Sequence, residues 1–257
     1  MLRFQTVRRK QKSLQSKASA ERAMRIDVVT LFPEMFRSFL DGSLLGVAQK
    51  AGLLDIRFSN IRDFGIGPHR QVDDRPYGGG PGMLLMPGPV VDCVESLLTE
   101  GDGSDTIDSS NSIAMLTPSG RPLTQQVVED FASKQRIILL CGRYEGFDQR
   151  ICDTLEPECI SVGNYVLSGG EVAAMVIIDA VARLIPGVLG DSLSAVDDSF
   201  SGTDRLIEGP QYTRPREYRG LQVPEVLLTG DHQRIADWHK TQAINATHNQ
   251  TNYCNDK

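Results

Sequence analysis

The stretch RIILLCGRYEGFDQR, Arg136 to Arg150, decides how this chain is read. RIILLC is an apolar run of strand length, and CGRYEG follows it with glycines where a chain leaves a sheet. FDQRICDTL then returns to helical spacing. Strand, glycine-bearing loop and helix in that order form the unit from which parallel α/β sheets are built.

Working outward, the unit recurs. Upstream, IAMLTP reads as a strand and LTQQVVEDFASK as a helix capped by Thr124. Downstream, ECISVGNYVLSGG holds one or two short strands broken at Gly163, and an apolar helix runs from Glu171 to Leu184. Nearer the start, RIDVVTLF is a buried strand ending at Pro33, which suits a helix start, and Gly52 stops the helical LLGVAQKAG. LLDIRFSNI alternates as a further strand, and Pro87 to Leu98 is helical. Between these two lies a Gly- and Pro-rich loop, Arg62 to Gly82, of a length that usually serves function. TEGDGSDTIDSSNS is a solvated linker. The expected fold is α/β with a mainly parallel sheet. GVLGDSLSAVDDSFSGTD then reads as a flexible linker, before a small, mostly helical C-terminal piece with a helix near DHQRIADWHK and a frayed end.

Composition narrows the function classes. The 257 residues are 40% hydrophobic and 23% charged, ordinary for a globular chain. The longest apolar run, VAAMVIIDAVARLI, is interrupted by Asp179 and Arg183 and is too short to span a membrane. Five cysteines without a CxxC pair point to reduced thiols and a cytoplasmic location, and four scattered histidines give no metal-ligand spacing. Residues 1–23 carry seven Lys or Arg against Glu21, a local +6 in a chain of net −6, which leaves −12 for residues 24–257. That leader reads as a disordered tail, a transit peptide or an RNA-binding arm, or else translation starts at Met24. An acidic body argues against nonspecific DNA binding and leaves room for a local RNA-binding face.

VDDRPYGGGPGM, Val72 to Met83, has four glycines in five residues, yet no P-loop lysine follows them and the GxGxxG spacing fails at Met83. A backbone packed closely against a ligand or another segment remains, beside a plain turn. The strand-end loops TPSG (Thr117–Gly120), CGRYEG (Cys141–Gly146) and VGNYVLSGGE (Val162–Glu171) carry more. In open α/β sheets ligands bind beyond the carboxyl ends of the strands, and three small-residue loops meeting there would cradle a flat cofactor. Individually each is an ordinary turn.

DVVTLFPEMF, VDDRPYGGGPGM, LCGRYEGFDQR, VGNYVLSGGE, LIPGVLG, DSF and YTRP occur in that order, and from about Met24 to about Lys240 the chain resembles the TrmD family of tRNA (guanine-N1)-methyltransferases, in the knotted SPOUT superfamily. The resemblance implies a deep trefoil knot and a homodimer with active sites at the subunit interface. It implies S-adenosylmethionine held by Pro118 and Gly120, by Gly142, Tyr144 and Glu145, and by Val162, Gly163, Asn164, Tyr165, Val166, Leu167, Gly169 and Gly170. The implied reaction is methylation of N1 of the tRNA guanine at position 37, just 3′ of the anticodon, with supporting Mg2+. Guanine N1 is protonated at neutral pH, so a base must take that proton while negative charge on O6 is stabilised. By resemblance Asp198 is the base and Arg183 the O6 partner.

The residues alone leave alternatives. Arg183 follows Asp179 at ion-pair spacing, Asp198 sits in a polar linker, and Asp197 is its chemical equal. Arg75, Tyr212 and Arg214 are the expected RNA contacts, with Arg216 and Arg219 beside them; a solvated turn, or pairing of Arg75 with Asp73 and Asp74, is the plain alternative. The sequence departs from the family at Asn164, Ala173 and Gln211 and in a shorter C-terminal tail. The domain boundaries read as a leader (1–23), a knotted catalytic domain (24–190), a linker (191–203) and a tRNA-binding domain (204–257). A SPOUT-like RNA-binding protein without catalysis is the alternative function.

Overall fold

The computed structural model describes residues 23–99, 110–189 and 198–255. The leader, most of the TEGDGSDTIDSSNS segment and residues 190–197 of the GVLGDSLSAVDDSFSGTD segment, including Asp197, lie outside the described residues. The chain divides into two compact units, Met1–Leu189 and Gly190–Lys257.

The first unit is an α/β sheet of five parallel strands: β1 (Met24–Thr30), β2 (Leu54–Asn60), β5 (Asn111–Pro122), β6 (Arg136–Cys141) and β7 (Glu158–Ser161). They stand in the order β2-β1-β6-β5-β7, and every pairing is parallel. Around them lie helices α1 (Arg37–Asp41), α2 (Ser43–Lys50), α3 (Pro87–Thr99), α4 (Gln125–Ala132), α5 (Gln149–Leu155) and α6 (Glu171–Leu184).

Alternation along the strands explains the layering. Ile137, Leu139 and Cys141 of β6 join one hydrophobic cluster with Ile177, Ile178 and Val181 of α6 and Phe131 of α4. Ile138 and Leu140 turn to the other face and pack with Val90 and Val94 of α3 and Ile151 of α5. Both faces are covered, which is why RIILLC reads as a continuous apolar run. The charged residues that interrupt the pattern are paired: buried Asp27 accepts from Arg136 Nε at 2.7 Å and from Arg25, and Arg136 donates to the Leu97 carbonyl.

Two expectations need correction. TPSG does not end its strand: Leu116 and Arg121 both face Ile160 of β7, so residues 117–120 form an excursion within β5. The Arg62–Gly82 loop also has structure of its own, with a 3-10 turn at Ile61–Phe64 and an antiparallel pair, β3 (Asp73–Asp74) and β4 (Leu84–Leu85).

In the second unit β8 (Glu217–Tyr218) and β9 (Leu221–Gln222) form a short hairpin. Helix α7 (His232–Asn255) is continuous, so the segment read as a frayed end is helical through Asn255. Among the described residues no helix is long and apolar enough to cross a membrane.

Candidate active site

The excursion in β5 and the loops after β6 and β7 come from three neighbouring strands and leave the same end of the sheet. Between them lies a hollow of about 200 Å³. Its walls include Thr117 and Pro118 from the first loop, Gly142 to Phe147 from the second, and Val162, Gly163, Tyr165, Val166, Leu167, Gly169 and Gly170 from the third. Of the expected cofactor residues, Gly120 and Asn164 are not on the wall. Gly120 has a packing reason instead, since a Cβ there would lie 2.4 Å from the Ile160 backbone nitrogen.

Close approach explains two wall glycines. The Gly170 amide donates to the Gly142 carbonyl at 2.8 Å, joining the second and third loops. A Cβ on Gly170 would come within 2.7 Å of the Cys141 Cα, and one on Gly142 within 2.8 Å of the Phe147 ring. Tyr144 between them adopts φ +59°, a strained left-handed conformation that a bulky residue keeps only where its surroundings impose it. Tyr165 closes the third loop on itself, its hydroxyl donating to the Val162 carbonyl at 3.1 Å.

Joined to the wall at Arg143 is a network that sequence reading missed. Glu171, fully buried at the start of α6, accepts from Thr30 Oγ1 at 2.7 Å and lies 2.9 Å from Arg143 Nε. The only trace in the sequence is an acid opening an apolar helix, where the helix dipole favours it. Burial, and then the nearby Glu171 carboxylate, push the Cys141 thiol well above its usual range, so it stays protonated.

The VDDRPYGGGPGM segment reaches this region. The Glu145 amide donates to the Met83 carbonyl at 2.9 Å, and a Cβ on Gly82 would meet the Glu145 side chain at 2.4 Å. Gly78, Gly79 and Gly80 all have positive φ with open space around them, and Tyr77 beside them is 98% exposed. Arg75 is exposed, its amide bonded to Asp74.

Arg183 is not on the wall of this hollow. It is in the last turn of α6, twelve residues beyond Glu171, which is roughly 18 Å along the helix axis. Val172, Val176 and Asp179 are exposed and share a helical stripe with half-buried Arg183. Asp198 belongs to the second unit, where its carbonyl accepts from the Ser201 amide at 3.1 Å and it borders a hollow of that unit with Asp204, Glu208 and Ala243. In the same unit the ring of exposed Tyr212 lies 6.3 Å from that of Trp238 at a tilt of 55°, and the Arg219 guanidinium lies over Tyr218. Arg214 and Arg216 are exposed on the intervening segment.

An open parallel sheet with a glycine-walled hollow beyond its strand ends defines the class: an open α/β fold, in which ligand sites lie beyond the carboxyl ends of the strands. The chain belongs to the TrmD family, whose model, described as tRNA (Guanine-1)-methyltransferase TrmD, matches residues 24–254. Proteins named tRNA (guanine-N(1)-)-methyltransferase are similar over most of their length. The one from Rhodopirellula baltica is 56% identical over 221 residues, 86% of this chain and 89% of its own. Those from Carboxydothermus hydrogenoformans and Geobacillus kaustophilus are 49% and 47% identical, over 83% and 88% of their lengths and 86% and 87% of this chain. The family match extends beyond Lys240, where the motifs end, into the last helix.

Proposed function

We propose that this protein transfers the methyl group of S-adenosylmethionine to N1 of the tRNA guanine just 3′ of the anticodon. The observation that carries the reading is the glycine-walled hollow, which gathers eleven of the thirteen residues expected to hold the cofactor, in a chain of the TrmD family. The residues fit the group: backbone amides and carbonyls of three loops suit a flat purine, and Tyr144, Tyr165 and Leu167 add apolar surface. Bound there, S-adenosylmethionine supplies an electrophilic methyl.

The chain's residues do the rest. Asp198 takes the N1 proton, so the ring nitrogen presents a lone pair. Arg183 balances the negative charge that moves onto guanine O6. The guanine must leave its stack to reach the hollow, and Tyr212, Arg214 and Arg75 hold the RNA through stacking and phosphate contact. Mg2+, where it assists, finds no resident cage: among the described residues no cluster of three or more acidic, histidine or cysteine side chains forms. Glu145, the acid on the wall, would share such an ion with the substrate.

The working unit in this reading is a homodimer of knotted chains. In this reading Arg183, roughly 18 Å along α6 from Glu171, does not serve the methyl donor held by its own chain. The stripe Val172, Val176, Asp179 and Arg183 is symmetric about its midpoint. A second copy packed antiparallel along it would cover the valines and bring the partner's Arg183 to the Val172 end, beside the hollow. The return of the chain after β7 to the β6 loop at Gly170, before α6 enters the core, supports reading this region as a trefoil knot.

Asp198→Ala tests the chemistry. It should abolish methyl transfer and leave S-adenosylmethionine binding within about twofold of wild type; transfer at the wild-type rate would remove Asp198 from the mechanism and point to Asp197.

A further inference from the structure

We infer that the ion pair between half-buried Arg143 and fully buried Glu171 is a positioning device: it holds the loop after β6 at a fixed distance from the turn that opens α6, and so sets affinity for S-adenosylmethionine. The inference rests on reading the hollow as the cofactor site. Arg143 stands between wall residues Gly142 and Tyr144, and Glu171 directly follows wall residues Gly169 and Gly170. The pair is therefore a side-chain strut running parallel to the backbone bond from Gly170 to Gly142.

Everything around the strut fixes its geometry. Arg143 Nη1 donates to the Ser168 carbonyl at 3.3 Å, and its guanidinium lies 4.4 Å from the centre of the Phe32 ring. Nη2 lies 3.1 Å from the Met35 sulfur. The other carboxylate oxygen of Glu171 takes the Thr30 hydroxyl, whose oxygen also accepts the Phe32 amide at 3.0 Å. Gly169 must be glycine here, since a Cβ would lie 2.3 Å from Arg143 Nε and 2.6 Å from Glu171 Oε2. The chain end of β1 is thereby tied to both cofactor loops.

Stability alone is a poor reason for such a pair. Removing two charges from water costs as much as their attraction returns, and an apolar pair of similar volume is often as stable. The contact is close but poorly aligned, for Arg143 Nε and Glu171 Oε2 complete no hydrogen bond despite their 2.9 Å separation. What it provides is a fixed separation between two walls of one cavity. Glu171 is not on the wall of the hollow, so it acts through Arg143 and the two loops.

The test uses the full-length protein and S-adenosylmethionine itself, with cofactor Kd and KM, kcat and Tm all measured. Glu171→Gln should raise Kd and KM together by roughly tenfold or more, while kcat at saturating cofactor falls by a smaller factor. A double variant, Arg143→Met with Glu171→Met, removes the stranded charge; it should recover Tm but not cofactor affinity. A lowered Tm with unchanged Kd in Glu171→Gln, or wild-type affinity in the apolar double variant, overturns the inference and makes the pair merely structural. Wild-type protein that binds no S-adenosylmethionine would instead sink the cofactor reading on which it rests.

Discussion

Gly170 carries two constraints that no other residue meets: its amide must reach the Gly142 carbonyl, and its α-carbon must pass the Cys141 backbone. Gly170→Ala should therefore destabilise the protein by about 1–3 kcal/mol, as overpacking against backbone does. It should also weaken cofactor binding, because the displaced atoms belong to the wall; calorimetry for the first effect and equilibrium binding for the second would check both. The glycines of VGNYVLSGGE read singly as ordinary turns; only together with TPSG and CGRYEG did they point beyond the strand ends, where the three loops line one hollow. The Arg143–Glu171 strut was not legible, because a side-chain partner 28 positions away leaves no periodic signal. Thr30, which completes it, is 141 residues from Glu171. Cys141 offers a further check at this scale. Its buried, proton-holding thiol should resist alkylation in the native protein at neutral pH and react only on unfolding.

Among the elements, the helices were read most faithfully where chain chemistry fixes their ends. Thr124 caps α4 by accepting from the Val127 amide, and α6 spans Glu171 to Leu184 as its apolar face requires. The β5 excursion was misread because residues 117–120 carry turn chemistry while the strand resumes beyond them, an event set by pairing with β7. Helix α5 carries a pH-dependent prediction. Asp148 caps it and is held below the ordinary aspartate range, chiefly by the hydrogen bond from the Arg150 side chain. A depressed folded pKa contributes stability that is complete above the unfolded value and is lost as pH falls through the folded one. Asp148→Ala should thus lower Tm at pH 7, by the equivalent of about 1 kcal/mol for a lost cap, and the gap to wild type should narrow as pH falls below about 4.

For the whole molecule, the parallel sheet was evident in alternating strand and helix patterns, whereas the covering of both faces of RIILLC emerged only from the packing. What sequence could not supply was the separation of Arg183 from its own hollow, which is a matter of helix length and direction. That separation makes the two-chain site testable by mixing. Gly142→Val, built to fill the hollow, and Arg183→Ala should each be inactive alone. Co-assembled, they should regain activity at the one complete site of each mixed dimer, read as methyl transfer after joint refolding or co-expression. Persistent inactivity of a verified mixed dimer would place Arg183 and cofactor in the same chain. Val176→Asp, which sets charge against charge at the stripe's centre, should yield monomers by sedimentation and abolish transfer.

The central claim is the reaction itself. Purified protein, labelled S-adenosylmethionine and a tRNA with guanine 3′ of the anticodon should yield one N1-methylguanine at that position, and a transcript with adenine there should take up no label. Label at another nucleotide, or tight cofactor binding with no transfer to any guanine-bearing tRNA, would contradict the account.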